Sequence, residues 1–431
     1  MPSAARRRRR AALTVGGVVL LLGASACTGS SGADHGNGGG SAKPEQLTWT
    51  AEQAIEGLRP GGVATDPVSG MTYVGGSLPA SADSSYSGPL IKGGTRKPVL
   101  WARSTVGSWH EVPLKVRSFY GAQATLASIS ANGRLNALGA VAGGAHANPR
   151  PSFFVGDSTR VTEREQNFYV YGGENAVGIV SVAAGPSTLL MVGQWAPDGH
   201  RASGALWTSP DGGTYVRHDE IPGLGDSADG QRTTSPQAAA AVGDRFVVVG
   251  SVTDLSKPEL SIVPAVWTST GTAVTLGSLP TAAGRLGGPT AVACAAPSPP
   301  SGRCLTAGLV TERGTEVLAA WTVTVGETAR GAPVDLNGCS APPPAPDAGE
   351  SVARPARVRV SVDANGDGWV VASTGRTGVA CRVTRGTARP VTVPAGCIPV
   401  AVQSPAGPQA GSGRAELVCA DARGVRTYRQ S

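Results

Sequence analysis

Seven cysteines, 30 acids and five histidines are the side chains of this 431-residue sequence that could clasp the chain, hold a metal or move a proton. Setting Cys27 aside leaves Cys294, Cys304, Cys339, Cys381, Cys397 and Cys419, an even set with no C-x-x-C pair of the kind a zinc site uses. Behind an export signal such a set reads as disulfides. Cys294 and Cys304 flank a Pro/Ser-rich loop between two strand-like segments, so they are expected to face each other across a hairpin. For the rest, sequence neighbourhood alone suggests Cys339 with Cys381 and Cys397 with Cys419. Asp363-Ala364-Asn365-Gly366-Asp367-Gly368 has the oxygen spacing of the first half of a calcium loop, with Asp363, Asn365 and Asp367 as ligands. Thr374 stands where the bidentate Glu would be, so a tight turn without metal is the expected reading. The histidines are scattered. No H-E-x-x-H, no G-x-S-x-G elbow and no phosphate-cradling glycine loop is present. No catalytic residue is nominated, and no cofactor is expected.

These side chains sit in a chain with a clear address. Arg6 to Arg10 form a basic region, Ala11 to Leu22 an apolar stretch too short for a permanent span, and Gly23-Ala24-Ser25-Ala26-Cys27 a small-residue cleavage site. That ending resembles the lipobox of bacterial lipoproteins, which implies lipidation of Cys27. Ala24 stands where Leu or Val is commonest, and plain secretion is the alternative. The five arginines carry most of the formal charge of +7, so the remainder is nearly neutral and nucleic acid is not an expected partner. The domains expected are a signal over residues 1–27, a flexible Gly/Ser-rich tether over 28–45 and a folded body over 46–431.

The body repeats. Gly204-Ala205-Leu206-Trp207-Thr208-Ser209 returns as Pro264-Ala265-Val266-Trp267-Thr268-Ser269, Leu318-Ala319-Ala320-Trp321-Thr322 and Val99-Leu100-Trp101-Ala102, each a strand ending near Trp and followed by a turn. With 61 Gly, 33 Pro and only 16% charged residues, many short strands are favoured over amphipathic helices. Trp101, Phe154, Trp207, Trp267, Trp321, Cys381 and Thr427 mark successive units at a period of roughly fifty residues, the signature of a propeller. The last unit stops one strand short. Leu47 to Glu52 is its obvious donor, so the expectation is all-β: a seven-bladed β-propeller of four-stranded antiparallel blades, closed by an N-terminal strand. The recurring Trp is expected to fill space between blades.

Ser209-Pro210-Asp211-Gly212-Gly213-Thr214-Tyr215 resembles the Asp-box, or BNR repeat, of sialidase-like propellers, with Tyr for the usual Trp. The matching positions are Ser209, Asp211, Gly213, Thr214 and Tyr215. The resemblance implies a structural turn on the face opposite the family's active site. It does not extend to the family's arginine triad or its Tyr/Glu pair, which do not map onto this sequence.

The remaining site is a rim. Loops between the second and third strands of the first four units bring Tyr86, Lys92, Arg96, Lys97, His146, Arg150, Trp195, His200, Arg201 and Lys257 to one side, a mixture suited to an anionic glycan or an acidic protein patch. The expected function is a membrane-tethered, extracytoplasmic ligand- or protein-binding module, with the membrane and a glycan or envelope protein as partners. A sialidase-like or other carbohydrate-active hydrolase is the alternative.

Overall fold

The computed structural model describes residues 43–431 apart from 80–95, 105–106, 142–149, 199, 226, 228, 282–283, 296–301, 344, 347–352, 355–356, 364 and 405–413. The signal, Cys27, nearly all of the tether, Tyr86, Lys92 and His146 lie outside the described residues.

Seven antiparallel sheets form the blades of a ring. Their innermost strands are Arg59–Thr65, Thr125–Ala131, Ala176–Ala184, Arg232–Val242, Ala291–Cys294, Arg357–Val362 and Ile398–Gln403. All seven landmark residues fall on the third strand of their blade. Second strands are buried on both faces because blades stack face to face. Leu189–Trp195 is buried at every position but Gln194, so it reads as an unbroken apolar run rather than an alternation. Small residues let the faces meet: a Cβ on Gly75 would stand 2.4 Å from Ile129 Cδ1 in the next blade.

Third-strand tryptophans do more than fill space. The indole Nε1 of Trp207 donates to Val170 O (2.7 Å), that of Trp267 to Gly223 O (2.8 Å) and that of Trp321 to Pro280 O (2.7 Å). Each acceptor lies on the connection that enters the same blade from the one before, so every such bond pins a crossover to the sheet it feeds. In the sixth blade Cys381 holds the Trp position, and its disulfide to Cys339 ties down the equivalent connection covalently. The other disulfides are Cys294–Cys304, within the hairpin of the fifth blade, and Cys397–Cys419, between the start and the second strand of the seventh. Trp101 differs, because its buried indole nitrogen has no partner among the described residues.

The outer edges are also stitched, by a device absent from the sequence reading. Parallel pairings join Val161 to Leu114, Ser278 to Arg330, Asp335 to Thr387 and Glu45 to Val391, linking the outer side of one blade to its neighbour. Exposed strand edges invite foreign pairing, and these bridges blunt them.

Closure follows the expected route. Trp49–Glu56 pairs antiparallel with Gly424–Gln430, setting Trp49 opposite Gln430 and Ala54 opposite Arg426. Behind that pairing, Arg103, only 4% exposed, reaches from the first blade to Glu52 on the N-terminal strand and to Glu416 Oε2 (2.5 Å) on the seventh blade. Arg429 Nη2 meets Glu52 Oε1 at 3.0 Å. The guanidinium of Arg103 lies 5.2 Å from the ring centre of Trp109, whose own indole donates to Thr427 Oγ1 (3.2 Å). Glu416 is the weak member. Its Oε1 is buried without a partner, and burial, against the pull of Arg103, raises its carboxyl above the ordinary carboxylate range.

A raised value in the folded state means that Glu416 keeps a proton which the unfolded chain has released. Its favourable contribution is therefore complete below the unfolded value near ~4.3 and is lost as pH rises through the raised one. Glu416→Gln should thus match or exceed the wild type in stability at pH 7 and lose that advantage in acid. Glu52→Gln, which weakens the counter-charge of both arginines, should cost about 1.5–3 kcal/mol; denaturant titrations across a pH series read both. Trp267→Phe strands the Gly223 carbonyl and should cost about 1–3 kcal/mol, whereas Trp101→Phe removes an already unpaired N–H and should cost well under that in the same titrations.

Candidate functional site

Strand direction alternates within a blade. Loops between second and third strands therefore open on the same face as the connections that enter each innermost strand, and the first-to-second and third-to-fourth turns open on the other.

On the first face the expected rim is only partly a surface. Lys97, His200, Arg201 and Lys257 are exposed. Lys257 Nζ lies 3.4 Å from Asp254 Oδ2, an exposed pair of small energetic weight. Arg96 is scaffold: its Nε donates to Ser77 Oγ (2.9 Å) and its Nη2 to Ser77 O (2.6 Å), and burial together with nearby Arg59 lowers its pKa. Trp195 corrects the reading of the rim. It is the last residue of its strand rather than the first of a loop, it is 5% exposed, and the guanidinium of Arg217 covers its ring at 3.8 Å. Arg217 in turn donates to Tyr169 O (2.9 Å) and pairs with Asp219 (2.9 Å).

Arg150 is where the rim gains substance. Its guanidinium lies 5.8 Å from the ring centre of Tyr120 and 5.3 Å from that of Phe168, within cation–π reach of both. The rings come from two short helices, Phe119–Gln123 and Phe168–Tyr171, each in a connection that enters an innermost strand. Ser118 caps the first by accepting from Gly121 N, and Asn167 the second by accepting from Tyr169 N. Tyr169 is 77% exposed, Phe168 49% and Tyr120 37%, so one arginine and three aromatic rings share a solvent face. Sequence reasoning named Arg150 and missed the rings, although the aromatic run Phe168-Tyr169-Val170-Tyr171 was a usable signal.

On the opposite face the Asp-box-like segment is a turn. Ser209 Oγ accepts from Gly212 N (2.8 Å), and Asp211 Oδ1 accepts from Gly213 N (2.7 Å), which holds the exposed carboxyl below its usual range. Gly212 has φ of +75°, a conformation that favours glycine. Tyr215 is buried with its hydroxyl donating to Asn136 Oδ1 (3.2 Å), and Thr214 is exposed. The calcium candidate is likewise occupied by backbone. Asp363 Oδ1 accepts from Asn365 N (2.8 Å) and Asp367 N (3.2 Å), while Asp367 Oδ1 accepts from Arg385 N (3.0 Å). Among the described residues no group of three or more His, Cys, Asp or Glu is placed to hold a metal.

The innermost strands of all seven blades line an axial cavity of about 500 Å³, within the size range of small-ligand sites. Most of its wall is Ala and Val. Asp363 is the single carboxylate in the described lining.

No protein-family model matches the sequence, and no curated protein does. Among solved structures the chain is similar to the β-propeller domain of the Trilobed protease from Pyrococcus furiosus, at 10% identity and a TM-score of 0.44 over 88% of this chain and 94% of that one. It is also similar to YCF48 from Cyanidioschyzon merolae, at 12% identity and a TM-score of 0.44 over 89% and 98%. Trypanosoma rangeli sialidase in complex with the inhibitor DANA aligns at 12% identity and a TM-score of 0.39 over 78% of this chain and 54% of that one. Likeness at this level concerns the fold.

Proposed function

We propose that this β-propeller is an extracytoplasmic binding module, held to the membrane through a lipid on Cys27, whose ligand face is the Arg150 cluster. The observation that carries the reading is the exposure of Tyr169 and Phe168 beside a guanidinium on the face where the long connections open. Soluble proteins seldom leave several large rings exposed together without a partner to cover them. Rings of this kind stack on sugar faces or apolar side chains, and the arginine adds attraction for carboxylates. An acidic envelope macromolecule, glycan or protein, combines both features. Three disulfides suit an oxidising compartment, and the sequence before Cys27 suits export.

The ligand half of the proposal is tested on arrays of acidic and neutral glycans and by cross-linking in intact cells. Phe168→Ala combined with Tyr169→Ala should weaken capture about tenfold at unchanged melting temperature, since hot-spot aromatics each contribute on the order of 1–2 kcal/mol. Equal capture by wild type and variant ends the assignment of this face. The address is tested separately: Cys27→Ala should move the protein from the detergent phase to the aqueous phase and abolish incorporation of labelled fatty acid, and retention in the detergent phase ends the lipoprotein reading.

A further inference from the structure

Alternate side chains of each innermost strand face the next blade. At two junctions serine hydroxyls there accept backbone N–H groups across the gap. Ser128 Oγ takes Val182 N (3.2 Å), Ser130 Oγ takes Ala184 N (2.9 Å) and Ser181 Oγ takes Ala239 N (3.3 Å). Assembly thus engages an acceptor site on each of these hydroxyls.

In the sixth blade the rule breaks. Arg359 and Ser361, two residues apart on one face of Arg357–Val362, both line the axial cavity. Ser361 is 6% exposed, and its hydroxyl has no partner. Arg359 donates from Nη2 to Gly61 O in the first blade, and its side chain has no carboxylate partner among the described residues. The neighbouring charge it feels is another cation, Arg357. Burial lowers its pKa to about 10, which still leaves it charged at neutral pH. A half-buried cation without a counter-ion is held at a cost unless something supplies the missing charge. Close by in the lining, Gln403 has its side-chain oxygen occupied by the Thr65 hydroxyl (2.8 Å), which leaves its amide N–H groups as donors. Asp363, the one acid of the wall, is spent on backbone N–H groups.

We propose that the axial cavity binds a small carboxylate with an apolar body, its head group held by Arg359 and Ser361. A guanidinium offers paired donors that match a carboxylate, and the Ser361 hydroxyl supplies a further one. Asp363 aside, the rest of the wall carries no charge, and Val63 and Val292 among it offer apolar contact to the body. This site is separate from the Arg150 face, and either assignment can fail without the other.

Isothermal titration of the full-length protein in detergent with hexanoate, hexanamide and inorganic phosphate tests the proposal. Hexanoate should bind at one site per chain, and hexanamide at least about tenfold more weakly because it lacks the charge. Phosphate, with the charge but no apolar body, should also bind more weakly than hexanoate. Arg359→Met should abolish hexanoate binding while circular dichroism shows a folded ring. Ser361→Ala, which removes only an unpaired hydroxyl and so keeps the fold, should weaken hexanoate about fivefold, the range of one lost hydrogen bond. The proposal is overturned if hexanoate does not bind, if hexanamide or phosphate binds as well as hexanoate, or if Ser361→Ala and a folded Arg359→Met both bind hexanoate as the wild type does.

Discussion

Pairing of Trp49–Glu56 with Gly424–Gln430 is the constraint on which the ring depends. Without it the first and seventh blades would each present a bare face, and the last sheet an open edge. With it, Ile55, Val74, Val99, Trp109, Val418 and Val425 share one buried cluster drawn from both ends of the chain. The contact has nearly the largest sequence separation the molecule allows, so its closure entropy must be met before its contacts contribute. That explains the concentration of specific interactions at this seam. Arg103 joins three segments there, and Trp109 is fixed both by its backbone N–H to Gln53 Oε1 (2.8 Å) and by its indole. An apolar seam alone could slide, whereas charged groups with one geometry set the register.

Much of this plan was legible because a propeller repeats its physical problem. Most blades carry a large group on the third strand and a turn after it, so Trp101, Trp207, Trp267 and Trp321 announced the period, and a missing last strand announced the closing one. Cys381 at a Trp position was visible as a landmark, yet its equivalence to tryptophan was not. Only the structure reveals that both residues fasten the incoming connection, one through a hydrogen bond and one through a disulfide. The parallel bridges on the outer side and the extra strand Arg285–Gly287, which extends the fifth sheet, rest on pairings of one to three residues, too short to leave a pattern.

The surface was less legible for a different reason. Loop membership was inferred from where apolar runs stop, and Trp195 continues such a run, so one residue of boundary separates a rim ligand from a buried ring under Arg217. The Arg150 cluster draws Tyr120 and Phe168 from two separate connections and Arg150 from the first position of the strand Arg150–Gly156, and no spacing rule unites them. Arg359 was invisible for the opposite reason. In Arg357-Val358-Arg359-Val360-Ser361-Val362 it continues a polar and apolar alternation that reads as an ordinary half-exposed strand, whereas the ring turns that polar side toward the axial cavity.

That contrast bears on where selection for stability and selection for binding part company. Ser128, Ser130 and Ser181 show the cheapest way to treat a polar group on an inner strand: give it a backbone partner on the next blade. A chain shaped by stability alone would treat the sixth blade alike, or place Ala or Val there as its other inner strands do. It carries instead the longest cation, bonded to a single carbonyl, beside a buried hydroxyl with no bond at all. Unsatisfied polar groups inside a fold are costly, and natural proteins tolerate them chiefly where function uses them. The weak point of the inner wall and the place for a ligand are, on this reasoning, the same strand.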